Sequence, residues 1–491
     1  MNRDAMNLYF GDLHSHAFCG GQFSDAEKDL ATARCHLDFF AATEHAIGQQ
    51  RNEERFPGYW SELRRAAQAA NVPGEFVTIL GWEWADVEGL DCGDMCVYFP
   101  DDAPDPMPVP RSYDEMVAFV RAQNAILIPH HIGYMPCYPG TNWDTFDPAI
   151  MPVVELFSMH GSSERDGGPF PMDLALNGPR CAGGTAVDGL ERGRRFGFIA
   201  STDQHVGYPG AYPMGLAAVE APELTRPAIW AALRARRCYA VTGDRIRLGF
   251  SVNGIPMGGE TAGAERTVRL QVSGEDVLDQ VDVVKNGRLW RRLTGAGEPP
   301  VTAGRFALRV EWGWGGGGDP FPWEIRLEVR RGRLLRAVPH FGPPPGDVIV
   351  ARSGDACRWY SVTLGSPDLG SFFRNQLHAN TGGTLTKQLL CEIDADADTE
   401  IAVTANGRAW SFRLPDLVRG SAVRVVAGDE RNPIGSRKLK LHRAVAEGAR
   451  AMTATVVDAE PEREVDYYYL RVRQENGQMA WSSPVWVRGS E

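Results

Sequence analysis

The sequence has no run of about 18 apolar residues, so it offers no helix able to cross a bilayer. Its opening stretch, MNRDAMNLYFGDLH, lacks the apolar core of a secretory signal. Paired cysteine spacing is also missing. The nine cysteines are odd in number and scattered, which argues against a disulfide framework and for a reducing, cytoplasmic compartment. Cys92 and Cys96 form a C-x-x-x-C with no second thiolate pair nearby, so a closed structural zinc site is not expected there. Positive charge is in short supply. Lys and Arg total 51 against 63 Asp and Glu, a net charge of −12, which excludes a broad electrostatic grip on long nucleic acid. A small anionic substrate stays open, because bound cations would reverse the local field. There is no G-x-S-x-G elbow for a serine triad and no phosphate-cradling P-loop. Fixed-period repeats and low-complexity tails are absent too.

What is present divides near residue 245 into two candidate domains, 1–245 and 246–491. In the first, short apolar runs alternate with amphipathic stretches, the pattern of an α/β fold. Strands are expected over Leu8–His16, Asp38–His45, Phe76–Trp84, Met95–Phe99, Ala125–His130, Val153–Ser158 and Phe196–Asp203. Helices are expected over Asp25–His36, Tyr59–Ala70, Tyr113–Gln123 and Arg226–Arg237. In the second, period-2 strands punctuated by Asn-Gly turns at 253, 286, 406 and 476 point to an all-β antiparallel sandwich. The segment Tyr467–Val487 reads as a buried hairpin closing it, and no metal ligand is expected from His340, His378 or His442.

Histidine is unevenly placed: eight of eleven lie within the first 205 residues, mostly where an apolar run ends. Asp12-Leu13-His14-Ser15-His16 puts two imidazoles on one face of a strand. FFAATEH ends on His45, TILGWEW carries Glu83, ILIPHH ends on His130 and His131, and FIASTDQH carries Asp203 and His205. Each alone is weak. Five apolar strands ending in metal-ligand types point to one shared site, because C-terminal strand ends of a β/α barrel converge.

In that order the motifs resemble the PHP (polymerase and histidinol phosphatase) superfamily. LYFGDLHSH, AATEH, IPHH, STDQH followed by PG, RRCYAVTGDRI and YYYLRVRQENGQMAWSSPVWV resemble a bacterial branch that joins a PHP barrel to a β-sandwich and is catalogued as a domain of unknown function. The resemblance implies a distorted (β/α)7 barrel holding two or three divalent metal ions (Mn, Fe or Zn). It implies that His14, His16, Glu83 and Asp203 bind one metal, and that Glu83 bridges to a second held also by His130. His45 and His205 would bind a third, with Asp25 as a candidate partner. Where relatives offer a further histidine, this chain has Asp94, a ligand that would make the site less selective among metals.

A carboxylate-bridged metal pair would make a hydroxide at neutral pH and clamp a phosphoester. His160 and Asp25 are candidates to protonate the leaving group. Arg165, Arg194 and Arg195 are the cations available to a phosphate, and His131 is read as a substrate contact or a residue behind the ligands. Glu155 is read as structural or as supporting a ligand. Trp82, Trp84, Tyr134, Trp143 and Tyr212 could wall an organic substrate. The expected function is therefore a phosphoesterase acting on a small organic phosphate. The alternatives are hydrolysis of an amide, carbamate or carboxylic ester by the same centre, and a degenerate barrel in a glycan- or partner-binding protein. No membrane partner is expected, and homo-oligomerisation stays open.

Overall fold

A computed structural model describes residues 6–16, 25–46, 50–86, 92–137, 139–172, 177–295, 297, 302–365 and 386–489, the side chains of 50–53 and 350 apart. His378 lies outside them. The chain is mostly strand with few helices, spread over several sheets.

The first half contributes β1 (Asn7–Asp12), β2 (Phe39–Phe40), β3 (Val77–Thr78), β4 (Gly81–Trp84), β5 (Met95–Tyr98), β6 (Ile126–Pro129), β7 (Val153–Ser158), β8 (Gly161–Ser162), β9 (Gly197–Ala200), β10 (Leu216–Ala221) and β11 (Cys238–Val241). These strands fall into three sheets. β1 pairs with β2 in parallel and with β10 antiparallel, and β10 continues to β11. β4, β5 and β6 form an antiparallel meander. β7 lies parallel to β9. The described hydrogen bonds therefore do not show a closed (β/α)7 ring. Two isolated parallel bridges, Ser15↔Gln204 and His45↔Glu83, join the sheets where the histidine motifs end.

The helices sit close to where their sequence patterns put them. α1 (Ala26–Arg34) is capped by Asp25, with acids in its first turn and Arg34 in its last, as the helix dipole favours. α2 (Gln50–Ala70) starts earlier than the expected Tyr59 and runs through Pro57. α3 is Tyr113–Ala122, and α4 (Ala186–Glu191) opens on a Thr185–Asp188 capping box. α5 (Arg226–Arg234) has Pro in its first turn and buries Ile229, Trp230, Ala232 and Leu233.

Among the described residues after 245 the strands pair mostly antiparallel, Glu260–Ala262 with Val485–Arg488 being parallel, and two short helices accompany them. One core buries Trp312, Trp323 and Trp359 between a six-stranded and a five-stranded sheet. The terminal strands behave differently from expectation. Met479–Ser482 pairs with β11, and Val465–Gln474 pairs with Leu278–Lys285 and Val485–Arg488. The segment Tyr467–Val487 is buried as expected, yet it extends the sheet of β1 rather than closing a separate sandwich, because the partner of an edge strand is not written in its own alternation. Of the later histidines, His340 meets Glu275 at 2.6 Å and His442 meets Glu311 at 2.7 Å.

The halves are tied by a buried carboxylate. Asp244, fully buried, accepts from Arg309 at 2.7 and 3.1 Å, Asn476 at 2.7 Å, Gln474 at 2.8 Å and Tyr212 at 3.0 Å. Burial would raise its pKa, but Arg309 and His340 hold it below the usual carboxylate range. Removing one member of a buried pair strands the other charge. Asp244→Ala is thus expected to cost about 3–5 kcal/mol in urea unfolding. A loss below about 1 kcal/mol would show that Arg309 finds water or another partner.

Candidate metal centre

β1, β6 and β9 stop at Asp12, Pro129 and Ala200, so the histidine motifs lie just beyond the strands, in turns rather than on a strand face. Asp12 fixes those turns. It accepts from Thr202 N (2.9 Å), Gly210 N (2.9 Å) and Thr202 Oγ1 (2.5 Å), tying the end of β1 to the Asp203 loop. Asp203 and His131 both take left-handed backbone conformations, φ 49° and 53°, uncommon for non-glycine residues and typical of functional turns.

Four donor atoms meet at one point. His14 Nε2 and His16 Nε2 are 3.2 Å apart. Asp203 Oδ1 is 3.3 Å from the first and 3.1 Å from the second. Glu83 Oε2 is 3.4 and 3.1 Å from the same two nitrogens. Donors about 2.0–2.2 Å from one cation would stand roughly 2.9–3.5 Å apart on the edges of its coordination shell. The observed separations lie in that range, and all four side chains are buried.

Glu83 Oε1 points the other way, 3.1 Å from His130 Nε2. Glu83, Asp94, His130 and His131 form a second cation-competent group, and His16, His45 and His205 a third. His45 Nδ1 also stands 3.1 Å from Glu83 Oε2. Burial pushes the Asp94 carboxyl well above its usual range, and its Oδ1 has no hydrogen-bond partner among the described residues. A cation would hold such a group ionised. Burial would also raise Glu83, but His45 and His130 hold it well below the usual range.

Two residues stand behind the candidate ligands: Glu155, read from sequence as structural or as supporting a ligand, and Cys96, which was not. Glu155, from mid-β7, sets its Oε2 3.0 Å from His14 Nδ1, the carboxylate support that orients a ligating imidazole. Cys96 Sγ lies 3.7 Å from His130 Nδ1. Burial raises its thiol, yet the adjacent His14 and His130 bring it below the usual value. Cys96 lies on β5 opposite Glu83, a register that its own sequence does not reveal.

Other sequence candidates fall elsewhere. The Asp25 carboxylate is exposed and caps α1, accepting from Glu27 N at 3.0 Å and Lys28 N at 3.3 Å. Arg194 and Arg195 precede β9 at the end away from Asp203, and Arg195 pairs with Glu260. Arg165 is exposed beyond Glu164. Trp82, Trp84 and Trp143 are core rather than pocket wall, and Tyr212 belongs to the Asp244 network. Tyr134 does reach the centre, its hydroxyl 2.9 Å from His160 Nδ1. His160 Nε2 and His131 Nε2 face Asp203 Oδ2 at 3.0 and 3.4 Å.

Residues 210–269 match a family described as a protein of unknown function, DUF3604. An uncharacterised protein of Chlamydia pneumoniae is 26% identical over 58% of this chain and 48% of its own length. One from Chlamydia trachomatis is 31% identical over 30% of this chain and 26% of its own length. The matches thus span less than half of either relative. A solved two-domain protein from Bacteroides vulgatus, described as containing a predicted PHP-like metal-dependent phosphoesterase, is 15% identical. It overlaps 59% of this chain and 83% of its own with a TM-score of 0.36, too loosely to align the site residue by residue.

If Glu155 orients His14 for a cation, Glu155→Ala should weaken metal binding about 10–100-fold in competition with a chelator. Unchanged affinity would show that His14 needs no such support.

Proposed function

We propose that this chain is a metal-dependent hydrolase of the PHP type, a phosphoesterase acting on a small organic phosphate. In this reading the three sheets of the first half form a distorted β/α barrel. The observation that carries it is the meeting of His14, His16, Glu83 and Asp203 donor atoms at 3.1–3.4 Å in the protein interior. Divalent ions of manganese, iron or zinc held there would supply Lewis acidity toward a phosphoryl oxygen and lower the pKa of a bound water. The protein's part is to fix the donors. Glu83 faces two positions with its two oxygens, Glu155 orients His14, and Asp94 and His130 complete the second set, with His45 and His205 beside the first.

A second reading has the same centre hydrolysing an amide, carbamate or carboxylic ester. It is favoured by the placement of the arginines. Arg194 and Arg195 stand at the far end of β9 and Arg165 is solvent-exposed, whereas a phosphate is best met by a guanidinium fork.

A panel of phosphomonoesters, phosphodiesters, esters and amides, offered to manganese-, iron- and zinc-loaded protein, separates the readings. Phosphoester turnover that falls at least about 10³-fold in His14→Ala and Glu83→Ala is expected, since each removes a group that holds the reacting centre. Turnover of esters or amides alone would transfer the conclusion to the second reading. Asp94→Ala should bind about one metal fewer than wild type by elemental analysis, while His14, His16 and Asp203 keep theirs. An unchanged metal count would remove Asp94 from the centre.

A further inference from the structure

Asp203 has two oxygens with different surroundings. Oδ1 belongs with His14 and His16. Oδ2 faces His160 Nε2 at 3.0 Å and His131 Nε2 at 3.4 Å, and those two rings lie 4.0 Å apart. The three side chains are 1%, 8% and 7% exposed for Asp203, His160 and His131. Although the separations are short, Oδ2 accepts no hydrogen bond among the described residues, because neither imidazole aims an N–H along the line to it. His131 Nδ1 is likewise buried without a partner. A buried carboxylate oxygen with no donor is costly, and such groups call for an explanation.

The arrangement repeats the one at Glu83. There too one oxygen faces the His14–His16 point while the other meets a histidine at 3.1 Å. On the far side of His160, the Tyr134 hydroxyl stands 2.9 Å from Nδ1, the support that a ligating imidazole needs on its other nitrogen. The left-handed turns at His131 and Asp203 aim both side chains inward.

From this geometry we infer a further divalent-cation site formed by His131 Nε2, His160 Nε2 and Asp203 Oδ2. Asp203 bridges it to the His14–His16 position, as Glu83 bridges that position to His130. Two imidazoles and one carboxylate suit a borderline ion such as zinc, iron or manganese, and three protein donors leave coordination open for substrate. His131 and His160 then serve as ligands rather than as a substrate contact and a proton donor. The inference rests on the metal-centre reading above.

The test is a count of bound cations. Full-length protein, stripped by chelator, is dialysed to equilibrium against manganese and, separately, zinc. His160→Ala should bind one cation fewer than wild type and keep the others at unchanged affinity, and His131→Ala should lose at least that same cation. Tyr134→Phe, which leaves every ligand in place, should weaken one cation about tenfold. A His160→Ala protein that binds the wild-type number at wild-type affinity overturns the site, even if activity is lost, and returns His160 to proton transfer. If the alanine variants do not fold, Tyr134→Phe decides, and an unchanged affinity there rejects the site. Wild-type protein that binds no cation would instead overturn the metal-centre reading itself.

Discussion

The buried carboxylate of Glu83 is the constraint on which the rest of the centre turns. It is 2% exposed, and four imidazoles stand within 3.1–3.4 Å of its two oxygens. An ionised carboxylate taken out of water costs several kcal/mol unless positive charge meets it. Protons shared with the histidines can supply that charge, and so can cations between the donors. The two imidazole nitrogens 3.2 Å apart are within reach of an N–H···N hydrogen bond, and a cation shared between them would take its place.

Such a cluster of desolvated donors would relax apart unless the loops carrying it were held, and the second half of the chain holds them. The loop after His205 is fixed by Tyr208 OH to Asp347 at 2.7 Å and by Tyr212 N to the Phe341 carbonyl at 2.8 Å. The loop after His160 is fixed through Glu164, which accepts from Tyr469 at 2.7 Å and from Arg471 and Trp481 at 2.9 Å. Those three residues lie on the terminal strands that extend the sheet of β1. The β-rich half therefore backs the loops that carry the clustered donors.

The gathering of His14, His16, Glu83, His130 and Asp203 was legible because these side chains close short apolar runs, a pattern visible one strand at a time. The geometry behind that reading was only partly right. His14 and His16 were read by strand alternation, yet β1 ends at Asp12, and beyond β6 and β9 left-handed turns redirect His131 and Asp203. Glu155 and Cys96 sit mid-strand and act through neighbouring strands, so no local pattern assigns them a partner. Asp25 illustrates a competing use, since an aspartate before a helix is as well suited to capping as to metal binding. Arg195 precedes β9, at the end away from Asp203. The terminal hairpin was readable as strands, but its pairing with β11 depends on residues some 240 positions away in sequence, as in Tyr239↔Ser482.

The most direct test of the central claim is an anomalous-diffraction map of crystals grown with manganese or zinc and recorded at the absorption edge of that metal. The account predicts a peak about 2.0–2.2 Å from each of His14 Nε2, His16 Nε2, Glu83 Oε2 and Asp203 Oδ1, with a neighbouring peak beside Glu83 Oε1 and His130. A map with no anomalous density among these atoms, and the imidazoles hydrogen-bonded directly to the carboxylates, would contradict it.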